Sequence, residues 1–240
     1  MAKKEKEVPL RVIYEDNHLI AINKKSGDIV QADKTGDETL PDKIKEYIKE
    51  KYNKSGNVFC GVIHRIDRPV SGVVIFAKTS KALARMNQLV HDRQMKKIYW
   101  AIVKKAPEPT EGNLIHYLYR DERNNKTLVS RVPKDGYLKA ELNYKIISQS
   151  DNYYLLEVEL ITGRHHQIRA QLADIGCPIR GDLKYGFPRS CVDGSIGLHA
   201  RSVTFIHPVG LQTTVIEADP PREKLWNHFC EILNINRSQL

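Results

Sequence analysis

A single acid between two arginines is the part of this sequence best suited to chemistry. In HRIDRPVSG, Arg65 and Arg68 flank Asp67, and an apolar run over residues 72–77 follows. The run predicts a buried strand, so the acid is expected in a turn at the strand's beginning. Guanidinium groups favour the ionised form of a carboxylate and attract anions. Because the motif holds no second acid, it indicates that one carboxylate acts on a polyanion.

Two further segments carry reactive side chains. In KKIYWAIV, Tyr99 follows a lysine pair after one residue, and residues 162–186 read TGRHHQIRAQLADIGCPIRGDLKYG. Thr162 is expected to cap a helix in this second segment. Adjacent residues on a helix point about 100° apart, so His165 and His166 are not expected to bind one metal ion together. Judged only by residue type and local context, Tyr99 in its apolar strand would be interpreted as a core residue and Asp67 as a turn residue.

Strands dominate the predicted elements that position these residues, and many follow one another without a helix between them. This pattern predicts an α+β fold with a mainly antiparallel central mixed sheet flanked by helices. Residues 1–9 are expected to form a frayed charged tail, and residues 10–240 a single domain. Predicted strands cover residues 10–14, 19–23, 72–77, 97–103, 114–119, 140–147, 153–161, 198–206 and 211–218. Predicted helices cover residues 39–52 and follow Thr79, Thr162 and Pro221, and residues 121–126 and 133–136 are expected to be exposed loops.

Composition indicates the partner. Lysine and arginine number 38 against 29 aspartate and glutamate, a net charge of +9, which favours nucleic acid or another anionic surface. The four cysteines have no C-x-x-C spacing, so reduced thiols in a cytoplasmic protein are expected. The first residues are charged and no apolar run approaches ~18 residues, so neither a signal peptide nor a membrane span is expected.

Five motifs together resemble the RluA-type RNA pseudouridine synthases. The family signatures H-R-L-D-x-x-T-S-G, T-G-R-x-H-Q-I-R and G-x-P-I-x-G-D-x-x-Y-G correspond here to HRIDRPVSG, TGRHHQIR and GCPIRGDLKYG. The opening E-D-x-H-L-x-x-x-N-K pattern matches residues 15–24, and L-H-A before a strand ending in H-P matches residues 198–208. The resemblance implies the pseudouridine synthase fold and an enzyme that isomerises specific uridines in ribosomal or transfer RNA. It implies no cofactor and no metal.

The resemblance also implies roles for individual residues. Asp67 would be the catalytic carboxylate, either attacking C1′ of the ribose or taking a proton from C2′. Arg169 would keep that carboxylate charged and fix its direction. The ring of Tyr99 would stack on the uracil, and its hydroxyl would serve a later proton transfer. Leu198 would pack on the other side of the pocket.

Further residues are implied to bind substrate. Arg65 would fill the space that the target nucleotide vacates when it leaves the helical stack, an extrusion that costs a few kcal/mol. Arg164 and His166 are also candidates for substrate binding, with a purely structural role left open for His166. His64 is expected to be a hydrogen-bonded packing residue. The lysines around Tyr99, Lys96 and Lys97 among them, are expected either to touch phosphate or to be solvated.

The resemblance covers the family's catalytic domain, from about Val12 to Ala218, without an S4-type RNA-binding domain. RNA is therefore expected to be recognised by the basic loops at residues 120–131 and 181–189. The expected state is a monomer with no obligatory protein partner and no membrane association. Pro69-Val70 departs from the family pattern and removes a threonine hydroxyl from the acid turn.

Two alternatives stay open at this point. The first is a catalytically inactive RNA-binding protein of the same fold. The second is a metal-dependent nuclease or phosphoesterase that uses His64, Asp67, His165 and His166, although no cluster of carboxylates accompanies them. The target uridine and the RNA that contains it are also left open.

Overall fold

A computed structural model describes residues 10–31 and 36–236 of the chain, so the predicted tail at residues 1–9 lies outside the described residues. The described chain forms one sheet flanked by helices. The strands are β1 Val12–Glu15, β2 Leu19–Lys24, β3 Gly61–Val62, β4 Ser71–Ala77, β5 Lys96–Val103, β6 Glu111–Asp121, β7 Lys126–Ser130, β8 Leu138–Gln149, β9 Tyr154–Leu160, β10 Leu198–Ile206 and β11 Thr213–Glu217. The helices are α1 Leu40–Lys51, α2 Ser80–His91, α3 Gln167–Asp174 and α4 Lys224–Ile232, with a short 3-10 helix at Leu183–Tyr185.

The sheet order is β1-β2-β4-β10-β5-β9-β8-β6-β7, with β3 paired to β4 and β11 paired to β10. Of these pairs only β4 with β10 is parallel, so the predicted α+β fold with a mainly antiparallel mixed sheet is confirmed. All seven residues of β4 are buried, as the apolar run at residues 72–77 predicts. None of the described helices has the length and apolar character needed to cross a membrane.

Alternation along β5 separates the two faces of the sheet. Tyr99 and Ala101 belong to the core on one face, against α1 and α3, and Trp100 and Ile102 pack on the other face with α4. The residues expected to do chemistry are therefore on the face that α3 covers.

A glycine lets β10 approach the acid turn. Gly72 has φ +117°, and a Cβ there would collide with the carbonyl oxygen of Ala200. Only glycine tolerates both the positive φ and this close approach. The Ser71–Gly72 step therefore allows β10, which begins at Leu198, to lie directly beside the turn that carries Asp67.

Two local expectations were wrong. Residues 126–130, expected within a loop, form strand β7 against β6, where Thr127, Leu128 and Val129 supply side chains that suit a strand. The helix expected after Thr162 begins only at Gln167, because His166 has a left-handed backbone with φ 48°. Thr162 does not cap the helix; its hydroxyl donates to Gln167 Oε1 at 2.8 Å and so stabilises the turn before it.

Candidate active site

A cavity of about 580 Å³ lies on this face, between the acid turn, β5, the turn before α3 and the beginning of β10. Its wall includes every residue that the sequence indicated for catalysis or substrate binding. Those residues are Arg65, Asp67, Tyr99, Arg164, His166, Arg169 and Leu198.

Arg169 bridges two carboxylates at the wall of the cavity. Its Nη1 donates to Asp67 Oδ2 at 2.9 Å, while Nε and Nη2 form a bidentate pair with Asp182 at 2.6 and 2.9 Å. The side chains of Arg169 and Asp182 are 6% and 1% exposed, whereas that of Asp67 is 28% exposed. Burial opposes the charge on Arg169, but both carboxylates raise its pKa and keep it protonated. The buried Asp182 thus orients a cation toward an acid that the cavity can reach.

His166 is the second group beside Asp67. Its Nδ1 lies 2.9 Å from the Tyr185 hydroxyl, which in turn accepts the backbone N–H of Thr127 at 2.8 Å. The hydroxyl proton is then available for Nδ1, which favours the tautomer with the proton on Nε2. Nε2 lies 3.5 Å from Asp67 Oδ2. Tyr185 therefore directs an imidazole N–H toward the same carboxylate oxygen that Arg169 contacts.

The two adjacent histidines do not diverge as a helix would require. The rings of His165 and His166 stack with centroids 3.8 Å apart and planes 23° apart, because both residues precede α3. The expectation of a 100° separation was wrong for this reason. Among the described residues, no group of three or more His, Cys, Asp or Glu side chains is arranged to hold a metal ion.

We expect acid to destabilise the fold through His166. Burial, followed by the charge of Arg169, lowers its pKa to about 2, whereas in the unfolded chain the pKa is about 6.5. As the pH falls below about 6.5, His166 binds a proton in the unfolded chain but not in the folded protein, so the free energy of unfolding decreases. Between pH 6.5 and 5 the wild type should lose about 1.5 kcal/mol more than His166→Asn in urea unfolding. Equal losses in the two proteins would contradict a buried neutral His166.

Tyr99 and Leu198 supply apolar surface to the cavity. Tyr99 is paired with Ala200 across β5 and β10, and Leu198 with Ala101. Both side chains are buried, and the Tyr99 hydroxyl has no hydrogen-bond partner among the described residues. Burial, with the charge of Asp67 second, raises the pKa of Tyr99, so the phenol is neutral. A flat ring and an aliphatic side chain beside one carboxylate suit a planar base attached to a sugar.

Two arginines lie near the opening of the cavity. Arg65 is exposed and its Nη1 donates to Gln31 Oε1 at 2.9 Å. Arg164 Nε donates to the Lys139 carbonyl oxygen at 3.2 Å. Neither guanidinium is paired with a carboxylate among the described residues, so both retain charge for an anion.

Sequence reasoning missed the residues that support this site. Asp182 and Tyr185 lie in the GDLKYG segment. The signal that could have revealed Asp182 was an acid in this segment that could serve as the buried partner of Arg169. Lys24, in the opening motif, is buried and donates to the carbonyl oxygens of Arg68 and Val70 at 3.0 and 2.8 Å. Burial lowers its pKa to about 8. Lys24 therefore ties β2 to the turn that carries Asp67.

Comparison with known proteins identifies the family and the fold. The family model described as RNA pseudouridylate synthase matches residues 18–174. The chain is 31% identical over 228 residues to ribosomal large subunit pseudouridine synthase D of Zymomonas mobilis, covering 90% of this chain and 71% of that protein. It is 29% identical over 242 residues to tRNA pseudouridine synthase C of Pectobacterium carotovorum, covering 92% and 62%. In fold it is similar to human RNA pseudouridylate synthase domain containing 4, with a TM-score of 0.76, 24% identity and 93% of each chain covered.

Proposed function

This chain belongs to the RNA pseudouridylate synthase family, whose enzymes are isomerases that act on RNA, and we propose that Asp67 is its catalytic carboxylate. The reaction breaks the bond between C1′ of the ribose and N1 of the uracil. The detached base turns, a bond forms between C1′ and C5, and the proton on C5 moves to N1 through a base or solvent. Substrate and product are isomers, so no electron is gained or lost.

Asp67 acts on the sugar in this proposal. It either attacks C1′ or accepts the proton of C2′, and both routes require the ionised carboxylate. Arg169 and His166 direct hydrogen-bond donors at its Oδ2. The other carboxylate oxygen has no hydrogen bond within the described residues and is left for the substrate.

Tyr99 and Leu198 hold the base in this proposal. A uracil between the ring and the aliphatic side chain can turn in its own plane without losing contact, since both surfaces are apolar. The neutral Tyr99 hydroxyl can relay the proton that leaves C5. Arg65, at the opening, occupies the place of the extruded nucleotide, and Arg164 contacts the RNA beside it.

The observation that carries the proposal is the bridge from Asp182 through Arg169 to Asp67. The buried carboxylate of Asp182 accepts two hydrogen bonds from the Arg169 guanidinium. A third hydrogen bond from Arg169 goes to Asp67, which is the acid of the two that the cavity can reach. A surface ion pair has no need of such a fixed geometry.

The proposed substrate is ribosomal or transfer RNA, the RNAs that appear in the names of the two relatives. The basic segments at residues 120–131 and 181–189 are proposed to contact it. They adjoin each other, since Lys184 Nζ donates to the Asn125 carbonyl oxygen at 2.8 Å. We propose that residues 10–240 act as one catalytic domain, as a monomer in the cytoplasm.

The test is to incubate uridine-containing ribosomal and transfer RNA with the protein in EDTA and to count pseudouridines by mass spectrometry. Pseudouridine formed in EDTA is the expected result. RNA cleavage that EDTA abolishes would instead indicate the nuclease, and RNA binding without any pseudouridine would indicate an inactive RNA-binding protein. Either of these two outcomes would overturn the proposal.

A further inference from the structure

Two neighbouring lysines on β5 have opposite surroundings. Lys97 points to the same face as Tyr99 and lines the cavity. Lys96 is exposed and lies 3.6 Å from Glu159 Oε1. The pair therefore offers one lysine at the site and one matched lysine outside it.

Within the part of the chain that the structure describes, no anion neutralises the ammonium group of Lys97. Its side chain is partly buried, and it has no hydrogen bond or ion pair with any described residue. Burial lowers the pKa of Lys97, and no carboxylate contributes to the shift. A Cβ placed on Gly163 would lie 4.0 Å from its Nζ, so the group lies beside the turn that leads to Arg169. A partly desolvated cation without a partner is unfavourable unless a ligand supplies the anion.

His64, which lines the same cavity as Lys97, adds a neutral donor. Its Nε2 accepts the backbone N–H of Ile75 at 3.1 Å, so the ring proton is on Nδ1. Nδ1 has no partner among the described residues, and the residue lines the same cavity. Burial, and then the charge of Lys97, lowers the pKa of His64 to about 3, which keeps the ring neutral. An ammonium and an imidazole N–H together suit an oxyanion.

We infer that Lys97 and His64 form a subsite for the RNA phosphodiester that adjoins the target uridine. The inference rests on the proposed function, because the substrate must be RNA. The cavity continues along β5 from Tyr99 past Lys97 to Met95, so it extends beyond the place of the base. A phosphodiester is the anion that the substrate carries next to every base, and in this subsite it neutralises Lys97.

The test compares Lys97→Met with Lys96→Met. RNA affinity is measured between 50 and 200 mM salt, and pseudouridine formation is measured under single-turnover conditions. Lys97→Met should bind RNA about ten-fold more weakly at low salt and flatten the plot of log affinity against log salt by about 0.7, the effect of one lost contact to single-stranded phosphate. Lys96→Met should resemble the wild type. Lys97→Gln should repeat the loss, and both Lys97 variants should unfold at a temperature no lower than that of the wild type, because each removes a partly buried charge that is unfavourable in the free protein.

Chemically modified RNA substrates identify which phosphate Lys97 contacts. A neutral methylphosphonate is placed on the 5′ or the 3′ side of the target uridine. At one of the two positions it should weaken binding of the wild type but not weaken Lys97→Met further. An equal penalty in both proteins at both positions, or equal salt dependence of Lys97→Met and Lys96→Met, would overturn the subsite. A wild type that forms no pseudouridine would instead overturn the proposed function, so the two failures are distinguishable.

Discussion

Asp67→Asn should lower the rate of pseudouridine formation by at least about a thousand-fold, which corresponds to about 4 kcal/mol in the activation barrier. Asparagine keeps the shape of the side chain and can still accept the hydrogen bond from Arg169. It can neither attack C1′ nor take a proton from C2′, so both candidate roles are lost. RNA affinity should stay within a few-fold, because the proposed phosphate contacts come from other residues.

Single-turnover rates with excess enzyme and filter-binding affinities separate these two effects for Asp67→Asn. The matched control is Glu157→Gln, an acid of similar exposure (32%) that pairs with Lys145 away from the cavity. The control should turn over substrate at the wild-type rate. An Asp67→Asn variant that keeps a tenth of wild-type turnover would rule out Asp67 as the catalytic carboxylate.

Asp182→Asn should affect both stability and turnover. The change removes the buried charge that faces Arg169, and breaking a buried ion pair costs about 3–5 kcal/mol. We expect the lower end of this range, because Arg169 keeps its contact with Asp67. The guanidinium would also lose part of its fixed direction, so turnover should fall by at least about ten-fold.

Urea unfolding gives the loss of stability, and single-turnover rates are taken at a temperature where the variant is fully folded. The rate readout distinguishes a positioning role from a merely structural one. Glu217→Gln, which removes an exposed carboxylate paired with Arg201, is the control and should change the free energy of unfolding by less than about 1 kcal/mol. Unchanged stability in Asp182→Asn would contradict the importance of the buried pair.

Much of the fold could be predicted from residue patterns. The amphipathic spacing over residues 39–52 corresponds to α1, and the apolar run before Lys78 corresponds to β4. These predictions succeed because periodicity reports which face of an element is buried. Strand β7 was missed because its five residues follow a polar turn, and its stabilisation comes from pairing with β6. The start of α3 was misplaced because a left-handed residue at position 166 leaves no periodic signal.

The kinds of chemistry available can be read from the order of residues: one acid in a basic turn, a tyrosine on an apolar strand, and an arginine near a pair of histidines. The interaction of Arg169 with Asp67, 102 residues away, was implied by the family resemblance and by no local pattern, whereas the two hydrogen bonds from Arg169 to Asp182 are visible only in the folded chain. The folded chain also shows that Lys97 faces the cavity without a partner among the described residues, whereas Lys96 lies beside Glu159. Contacts of this kind depend on which strands lie side by side and on how their connecting turns are built. Local periodicity indicates which face of an element is buried, but it does not indicate which distant residues that face contacts, because those contacts depend on the packing of the whole sheet.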